Sequence, residues 1–456
     1  MTNNFKKDDD EEMRELVLAY ETSVKEGSHR YFDVDEMEIV IDYYLENTDI
    51  EHLEEAVCYA ERLFPDATSI RLRRSHLLCT QGLFDKALPI LRELVRLEPD
   101  NTDVHYALGA IYSTMGQPKK AIQHYLLAAK DKYCLDTIYG NVADEYRNLE
   151  RLEEAIHYYK KALSVNPTEE RSLQNIVFTF DISNRLKDGE KYFSDMVERH
   201  PYNHQAWCAL GFIYFYLGLY EKAIDAQEYA IAIDKTFYDA YSCIANCHMA
   251  MNEPGKAATT LLESIPYAET PELIYSSIGS IYHDIGNLPT AVIYFRKALQ
   301  IDPNMGDALR GIAFCYDAMG DHGTASTYIE RAIDSNPPLA EFHHDAAIIQ
   351  SCNDIEAAVK HFETALDIDN THDEYWIDYA LFLYALKEYE QSLTLMEAGV
   401  ESANEPTRFQ AVMAACHFML GHLKAFSEIA ITAQEQWDDW KEMFLHLCPD
   451  AEPYLP

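Results

Sequence analysis

Mostly small residues recur along the chain at a regular interval, each inside a stretch where apolar and polar positions alternate with helical spacing. The interval is 34 residues over most of the chain, shortens once to 33 and then returns to 34. A period of this size is typical of repeat proteins in which each unit is one supersecondary element. The recurring positions are Ala87, Ala121, Ala155, Gly189, Ala223, Ala257, Ala291, Ala325, Ala358, Ser392 and Phe426.

Each repeat contains two helical patterns. Trp207, Leu210 and Tyr214 represent the first pattern, with spacing i, i+3 and i+7, which places them on one stripe of an α-helix. Ala155 and Tyr159 represent the second pattern, with spacing i and i+4. Because a glycine or alanine lets a neighbouring helix approach closely, we expect the large side chains of one helix to fill the gaps left by the other.

Glycine and proline mark the ends of these predicted helices. Glycine accepts the left-handed conformation at a helix end, and proline lacks the N–H needed to continue a helix. The glycines that follow first helices are Gly82, Gly116, Gly218, Gly286, Gly320 and Gly421, and the prolines that follow second helices are Pro99, Pro167, Pro201, Pro303 and Pro337.

These residues resemble the signature of the tetratricopeptide-repeat (TPR) family: W/Y-x2-L-G-x2-Y in the first helix, A-x3-F/Y-x2-A in the second, and then proline. The resemblance covers roughly residues 37 to 433, with departures such as Gln227 in place of an aromatic residue. It implies an all-α fold, a right-handed superhelical α-solenoid of about 11–12 TPR helix pairs with a C-terminal capping helix. First helices would line a concave groove and second helices the convex back.

The two ends differ in composition from the repeats. Residues 1–34 are polar and acidic, and we predict a flexible N-terminal arm with a short helix around Glu11–Tyr20. The solenoid is predicted for residues 35–433. Residues 434–456 contain an amphipathic pattern around Trp437, which predicts a helix that caps the last repeat and a short tail.

The charge balance is strongly acidic, with 37 Lys and Arg against 77 Asp and Glu and a net charge of −40. Such a field repels phosphate backbones and anionic lipids, so nucleic acid and membrane surfaces are not expected as partners. A basic segment of another protein would be attracted. The alternative is that the charge only keeps a long molecule soluble.

The ten cysteines lie mostly in apolar helical stretches and do not form a disulfide framework. The start of the chain lacks the apolar core of a secretory signal, and no apolar run approaches the length of a membrane span. These features predict a cytoplasmic protein.

No pattern of catalytic or cofactor-binding residues stands out. Phosphate loops, the nucleophile elbow and the HExxH and CxxC motifs do not occur. Cys243, Cys247 and His248 come nearest to a metal cluster, but zinc needs four converging ligands, so buried thiols are the better interpretation. We therefore predict no cofactor, no metal and no enzyme activity.

The groove implied by the resemblance is the predicted functional site. In the TPR family, positions two, five, nine and twelve of each first helix face the concave side. We predict an apolar patch with an acidic rim, suited to a hydrophobic and basic partner segment. The residues concerned are Phe178, Phe212, Phe215, Phe314, Asp144, Asp181 and Asp239.

Three classes of function remain open at this point. The first is a scaffold or adaptor that binds a peptide or helical segment of another protein in the groove. The second is a structural protein that self-associates through its ends or convex back, and the third, with the least support, is an enzyme. Chaperone-tail binding is disfavoured because no first helix pairs Lys at position five with Asn at position nine. A TPR glycosyltransferase is not expected either, since few residues follow the repeats.

Overall fold

A computed structural model describes residues 2–26, 30–130, 134–400, 406–437 and 440–455. Side chains are described from Met13 onward within these ranges, apart from that of Glu26. The regular elements in these ranges are helices, and no β-strand occurs in them. The chain divides into two compact units, Met1–Cys243 and Ile244–Pro456, which are described separately below.

The first unit is a series of antiparallel helix pairs preceded by one additional helix. In each pair the two helices pack against each other, and the second helices that end at Leu63, Leu97, Ala128, Val165 and Arg199 pack on the first helix of the next pair. The helices are α1 (Thr2–Glu26), α2 (Val34–Glu46), α3 (Ile50–Leu63), α4 (Thr68–Thr80), α5 (Phe84–Leu97), α6 (Thr102–Thr114), α7 (Pro118–Ala128), α8 (Leu135–Asn148), α9 (Leu152–Val165), α10 (Glu170–Ile182), α11 (Leu186–Arg199), α12 (His204–Tyr216), α13 (Tyr220–Ile233) and α14 (Tyr238–Ala250), which continues into the second unit.

The second unit repeats this arrangement. Short 3₁₀ turns at Ile265–Tyr267 and Pro449–Tyr454 add to the helices. The helices are α15 (Pro254–Ser264), α16 (Pro271–Asp284), α17 (Leu288–Ile301), α18 (Gly306–Ala318), α19 (His322–Ser335), α20 (Ala340–Gln350), α21 (Ile355–Ile368), α22 (Asp373–Ala385), α23 (Tyr389–Gly399), α24 (Pro406–Met419), α25 (Leu423–Gln436) and α26 (Trp440–Leu447).

In eleven of the twelve helix pairs the turn uses a residue in the left-handed backbone conformation, whereas the turn between α20 and α21 at residues 351–354 does not. The six glycines that were predicted to end first helices adopt this conformation, with φ between 65° and 81°. Other repeats place a residue with a side chain at the same register, such as Asn184 (φ 55°) and Lys387 (φ 65°). The 34-residue interval therefore marks this turn even where glycine is missing. The non-glycine positions are Thr48, Glu150, Asn184, Asn252 and Lys387.

Close packing within a pair depends on a small residue opposite a ring. A Cβ atom added to Gly279 of α16 would lie 2.7 Å from Cδ1 of Phe295 in α17. At Gly109, which occupies the same register, it would lie 2.5 Å from Cδ1 of Tyr125. These distances leave no room for a methyl group, so the ring of the second helix occupies the space that glycine leaves.

The N-terminal segment differs from the flexible arm predicted for residues 1–34. Helix α1 covers Thr2–Glu26, and its Val17 and Tyr20 are buried with Phe32 in a core that includes Leu53. Polar composition at the start of the chain concealed this apolar stripe, which lies only in the second half of the helix. That half is thus a packed element.

The C-terminal helix α26 packs on the last helix pair. Trp440 and Phe444 are fully buried, and their rings stack with centroids 5.0 Å apart. They share a core with Ala414 of α24 and with Phe426 and Ala430 of α25. Counting α14 with α15, the described residues form twelve helix pairs, and the predicted all-α solenoid fold with a capping helix is confirmed. The handedness of the superhelix and the division at residues 34 and 433 stay predictions.

Candidate functional site

A cavity of about 260 Å³ opens in the first unit between α10, α12 and the start of α14. Half of its lining comes from positions two, five and nine of these first helices, the positions that the family resemblance assigns to the groove. The full lining consists of Glu170, Leu173, Gln174, Val177, Phe178, Gln205, Cys208, Ala209, Phe212, Tyr216, Phe237 and Asp239.

Aromatic rings dominate the open part of this cavity. Phe178 is 50% exposed and Tyr216 45% exposed, whereas Phe212 is partly buried. Phe237 adds a fourth ring from the turn before α14 and meets His204 edge-on, with ring centroids 4.8 Å apart. A phenylalanine that exposes half of its surface beside other rings is typical of a surface that binds a partner.

The predicted cluster of three phenylalanines is only partly right. The structure brings Phe178 and Phe212 together, but Phe215 does not line the cavity and instead contacts Tyr216 and Tyr220, each with ring centroids 5.7 Å apart. With 3.6 residues per turn, residue i+4 lies about 40° from residue i, whereas residue i+3 lies about 60° away on the other side. The side chain four residues after Phe212 is therefore the one that shares its face, and the i, i+4 spacing could have identified Tyr216.

Carboxylates surround the rings. Glu170 and Asp239 line the cavity, and burial together with the nearby Asp181 raises the pKa of Tyr216. None of the described lining residues is a lysine or an arginine. The field in the cavity is therefore negative, as expected from the net charge of the chain.

Asp144 does not belong to this acidic rim, contrary to the sequence prediction. Its carboxylate is buried and accepts hydrogen bonds from the Tyr159 hydroxyl, from Arg171 and from Asn175 Nδ2, the last at 2.9 Å. Arg147 lies 3.5 Å from the same group. A carboxylate that is saturated by its own chain holds α8, α9 and α10 together and offers little to a partner.

A buried glutamine, Gln227, lies beneath the floor of the cavity. Gln227 of α13 stands where several other repeats have a ring, and it fills the space next to Gly211. Its Nε2 atom donates to the backbone oxygen of Cys208 at 3.1 Å, while its buried Oε1 atom has no donor among the described residues. Burial and the nearby Asp239 raise the pKa of the Cys208 thiol, so this cysteine is protonated and a poor nucleophile.

Phe314, the remaining predicted aromatic residue, lies in the second unit and not in this site. It lines a different cavity of about 360 Å³, together with His283 and Arg310. The guanidinium carbon of Arg310 lies 5.4 Å from the centroid of its ring. That cavity is more polar, since Ser276, Ser277 and Ser280 also line it.

Other kinds of site receive no support from the described part of the chain. Within it, no group of three or more His, Cys, Asp or Glu side chains is arranged to hold a metal ion. Cys243 and Cys247 are buried. None of the helices in the described ranges is long and apolar enough to cross a membrane.

Stacked helix pairs with an open groove define a class of repeat proteins that bind other proteins. Profiles of the tetratricopeptide repeat match residues 78–132, 137–169, 204–237, 274–305, 311–338 and 353–416, together more than half of the chain. The chain belongs to the tetratricopeptide-repeat family, whose members generally act as scaffolds for protein interactions.

Similar proteins include members of larger complexes. The chain is 24% identical over 351 residues to BBSome complex member BBS4 of Bos taurus, which covers 73% of this chain and 67% of that protein. It is 25% identical over 168 residues to anaphase-promoting complex subunit 3 of Schizosaccharomyces pombe, and there it spans only 25% of the relative. The crystal structure of yeast Tom70 aligns with a TM-score of 0.46 and 13% identity, covering 92% of this chain and 94% of that one.

Proposed function

We propose that this chain is an interaction scaffold that holds a segment of another protein in the groove of its first unit. The segment has both apolar and basic character, and it is held at Phe178 and Phe212. The observation that carries the proposal is the cavity in which half-exposed rings and unneutralised carboxylates lie side by side. Apolar contact supplies affinity, and the negative field attracts a basic segment and raises the rate of encounter.

Two further observations support a scaffold over the other classes. Two similar proteins are named as a member and a subunit of protein complexes. Two thiols are unsuited to catalysis, since burial raises the pKa of the partly buried Cys79 and of the buried Cys315 to about 11. A location in the cytoplasm stays a prediction.

The proposal is tested by affinity capture from a lysate with purified protein. The double variant Phe178→Ala/Phe212→Ala is compared with wild type and with Tyr202→Ala, a control that removes an 86% exposed ring from a loop of the same unit. We expect at least one partner that binds wild type and the control and is lost from the folded double variant.

Two outcomes count against the groove. Capture of the same proteins by all three forms would place the binding surface elsewhere. Self-association without any captured partner, measured as a mass that rises with concentration, would favour the structural protein instead.

A further inference from the structure

We infer that the cavity of the first unit binds one arginine side chain of the partner segment, with its guanidinium against the aromatic rings and facing the carboxylates of Asp239 and Glu170. The inference rests on the proposed function and specifies what the groove recognises. Its occupant is thus a cationic side chain, not a purely apolar one.

The repeat symmetry of the chain supplies the main argument. In the second unit, Arg310 lies over the ring of Phe314 and forms an ion pair with Glu341, with Nη1 and Oε1 2.7 Å apart. Arg310 is residue five of its first helix, Phe314 is residue nine, and Glu341 is residue two of the next first helix. The Nε atom of Arg310 also donates a hydrogen bond to the buried Asp345, so the chain itself places this guanidinium between an aromatic ring and two carboxylates.

The equivalent positions of the first unit lie 102 residues earlier, three repeat lengths away. Phe212 stands for the ring and Asp239 for the carboxylate, but residue five is Cys208. The ring and one of the two carboxylates are therefore retained, while the arginine between them is replaced by a short thiol. Cys208, Phe212 and Asp239 all line the cavity, so a guanidinium that enters it meets the same ring and carboxylate.

The size of the cavity fits one side chain. At about 260 Å³ it is smaller than the roughly 300–1,000 Å³ of pockets that enclose a small-molecule ligand. A single long side chain entering from the groove can fill it.

The ring faces and the charges select arginine. Four rings line the cavity: Phe178, Phe212, Tyr216 and Phe237. Among the described ring contacts none joins two of them, so these rings do not stack on one another. A planar guanidinium stacks on such faces better than a compact ammonium group does. The described salt bridges include no cation on Asp239, and the nearby Arg171 is bound to Asp144.

Ligand-observed NMR with small probes tests the inference. Saturation transfer from the full chain is measured to N-acetyl-arginine amide, N-acetyl-citrulline amide and N-acetyl-norleucine amide. Citrulline has nearly the shape of arginine without the charge, and norleucine is a purely apolar chain. We expect transfer to the arginine probe, with an affinity of about 1 mM or weaker, and at least about tenfold weaker binding of the other two.

Variants assign the signal to the cavity. Cys208→Arg should place a guanidinium in the cavity from the chain itself and abolish binding of the arginine probe. Asp239→Asn should weaken binding about tenfold. Glu221→Gln, which removes an exposed carboxylate of the same unit, should leave it unchanged. If circular dichroism shows that Cys208→Arg does not fold, the comparison of Asp239→Asn with Glu221→Gln tests whether the arginine probe binds in the cavity.

The failure of this inference differs from the failure of the proposed function. Equal binding of norleucine and arginine amides, lost in Phe212→Ala, would show an apolar anchor and leave the groove as the binding site. Arginine binding that persists in Cys208→Arg and Asp239→Asn, or no selective transfer to arginine, overturns the inference. The capture experiment with Phe178→Ala/Phe212→Ala tests the groove independently.

Discussion

The Nδ1 atom of His105 lies 3.1 Å from the Nδ1 atom of His124. The other ring nitrogen of His105, Nε2, lies 2.9 Å from the backbone oxygen of Pro99, which can only accept a hydrogen bond. In the neutral ring, Nδ1 of His105 is therefore an acceptor, and His124 donates to it. Protonation of both rings would point two N–H groups at each other, so the pair is stable only with at most one positive charge.

Acid is therefore expected to destabilise the folded chain. Burial, and then the neighbouring His105, lowers the pKa of His124 below its ordinary value of 6.5, and burial lowers that of His343 in the same direction. Because the unfolded chain then binds protons more readily, stability falls as pH drops below about 6.5 and levels off once the lowered pKa values are passed. Above that window these groups contribute no pH dependence.

This pH effect is measured as the thermal midpoint between pH 7.5 and 5.5. The variant His124→Asn should lose less of its midpoint over that range than wild type does. His200→Asn, which removes an exposed ring, is the control and should behave as wild type. An identical loss in all three proteins would show that the His105–His124 pair does not sense pH.

Two glycine-to-alanine substitutions in the second unit should have opposite effects on stability. In Gly279→Ala the new methyl group meets Phe295, so we expect a loss of about 1–3 kcal/mol from overpacking. In Gly255→Ala the methyl group has nothing within 4 Å, and alanine favours the helix by up to about 1 kcal/mol. Urea unfolding of both variants measures the difference. Equal midpoints would contradict the close approach of α16 and α17.

Asp144 should matter for stability, whereas Asp181 should not. Asp144→Ala removes a buried carboxylate, leaves the Tyr159 hydroxyl without its acceptor and takes the carboxylate partner from two arginines, which keep only amide acceptors. Breaking a fully buried pair costs about 3–5 kcal/mol, and the exposure of Arg171 reduces our expectation to about 2 kcal/mol. Asp181→Ala should stay within about 0.5 kcal/mol of wild type. Urea unfolding measures the free energy of unfolding of the two variants. Equal losses in both would show that Asp144 is no more important for stability than Asp181 and would contradict its structural role.

Thiol reactivity should separate the ten cysteines into classes. Cys134 and Cys352 are exposed, whereas Cys208, Cys315 and Cys416 are buried, with burial raising the pKa of each. Native protein treated with a chromogenic disulfide reagent should therefore show a fast phase from the exposed pair. The double variant Cys134→Ser/Cys352→Ser should lose that phase. A fast phase that survives in it would show that thiols other than the exposed pair react rapidly, from the partly buried Cys58 and Cys79 or from the buried class.

Much of the fold follows from the sequence because one packing rule repeats. Gly109 and Gly279 lie opposite rings at the same register, so the 34-residue interval predicts both contacts at once. The interval also marks the turns at Asn184 and Lys387, although a lysine by itself does not indicate a left-handed conformation as glycine or asparagine does. A short helix around Glu11–Tyr20 was predicted, but its packing was not, because this segment lies outside the repeats and is polar in composition.

The candidate site was predicted only in outline. Phe178, Phe212 and Asp239 share the cavity because groove positions follow from the repeat register. Phe237 lies in the turn before α14, outside the helical positions that the register describes. The role of Asp144 depends on Tyr159 of the second helix and on Arg171 of the next repeat, and a one-dimensional pattern does not show which donors reach a given carboxylate.

Gln227, which replaces a ring beneath the cavity, has a consequence for local opening. A ring at this register would bury only carbon against Gly211, whereas the amide leaves its Oε1 oxygen without a donor among the described residues. The pair α12 and α13 therefore gains less free energy from closing than its neighbours, and its amide hydrogens should exchange sooner with solvent. A partner bound above Cys208 would stabilise the packed state of α12 and α13. Binding in the groove would therefore slow the exchange of amide hydrogens on the opposite side of the same repeat.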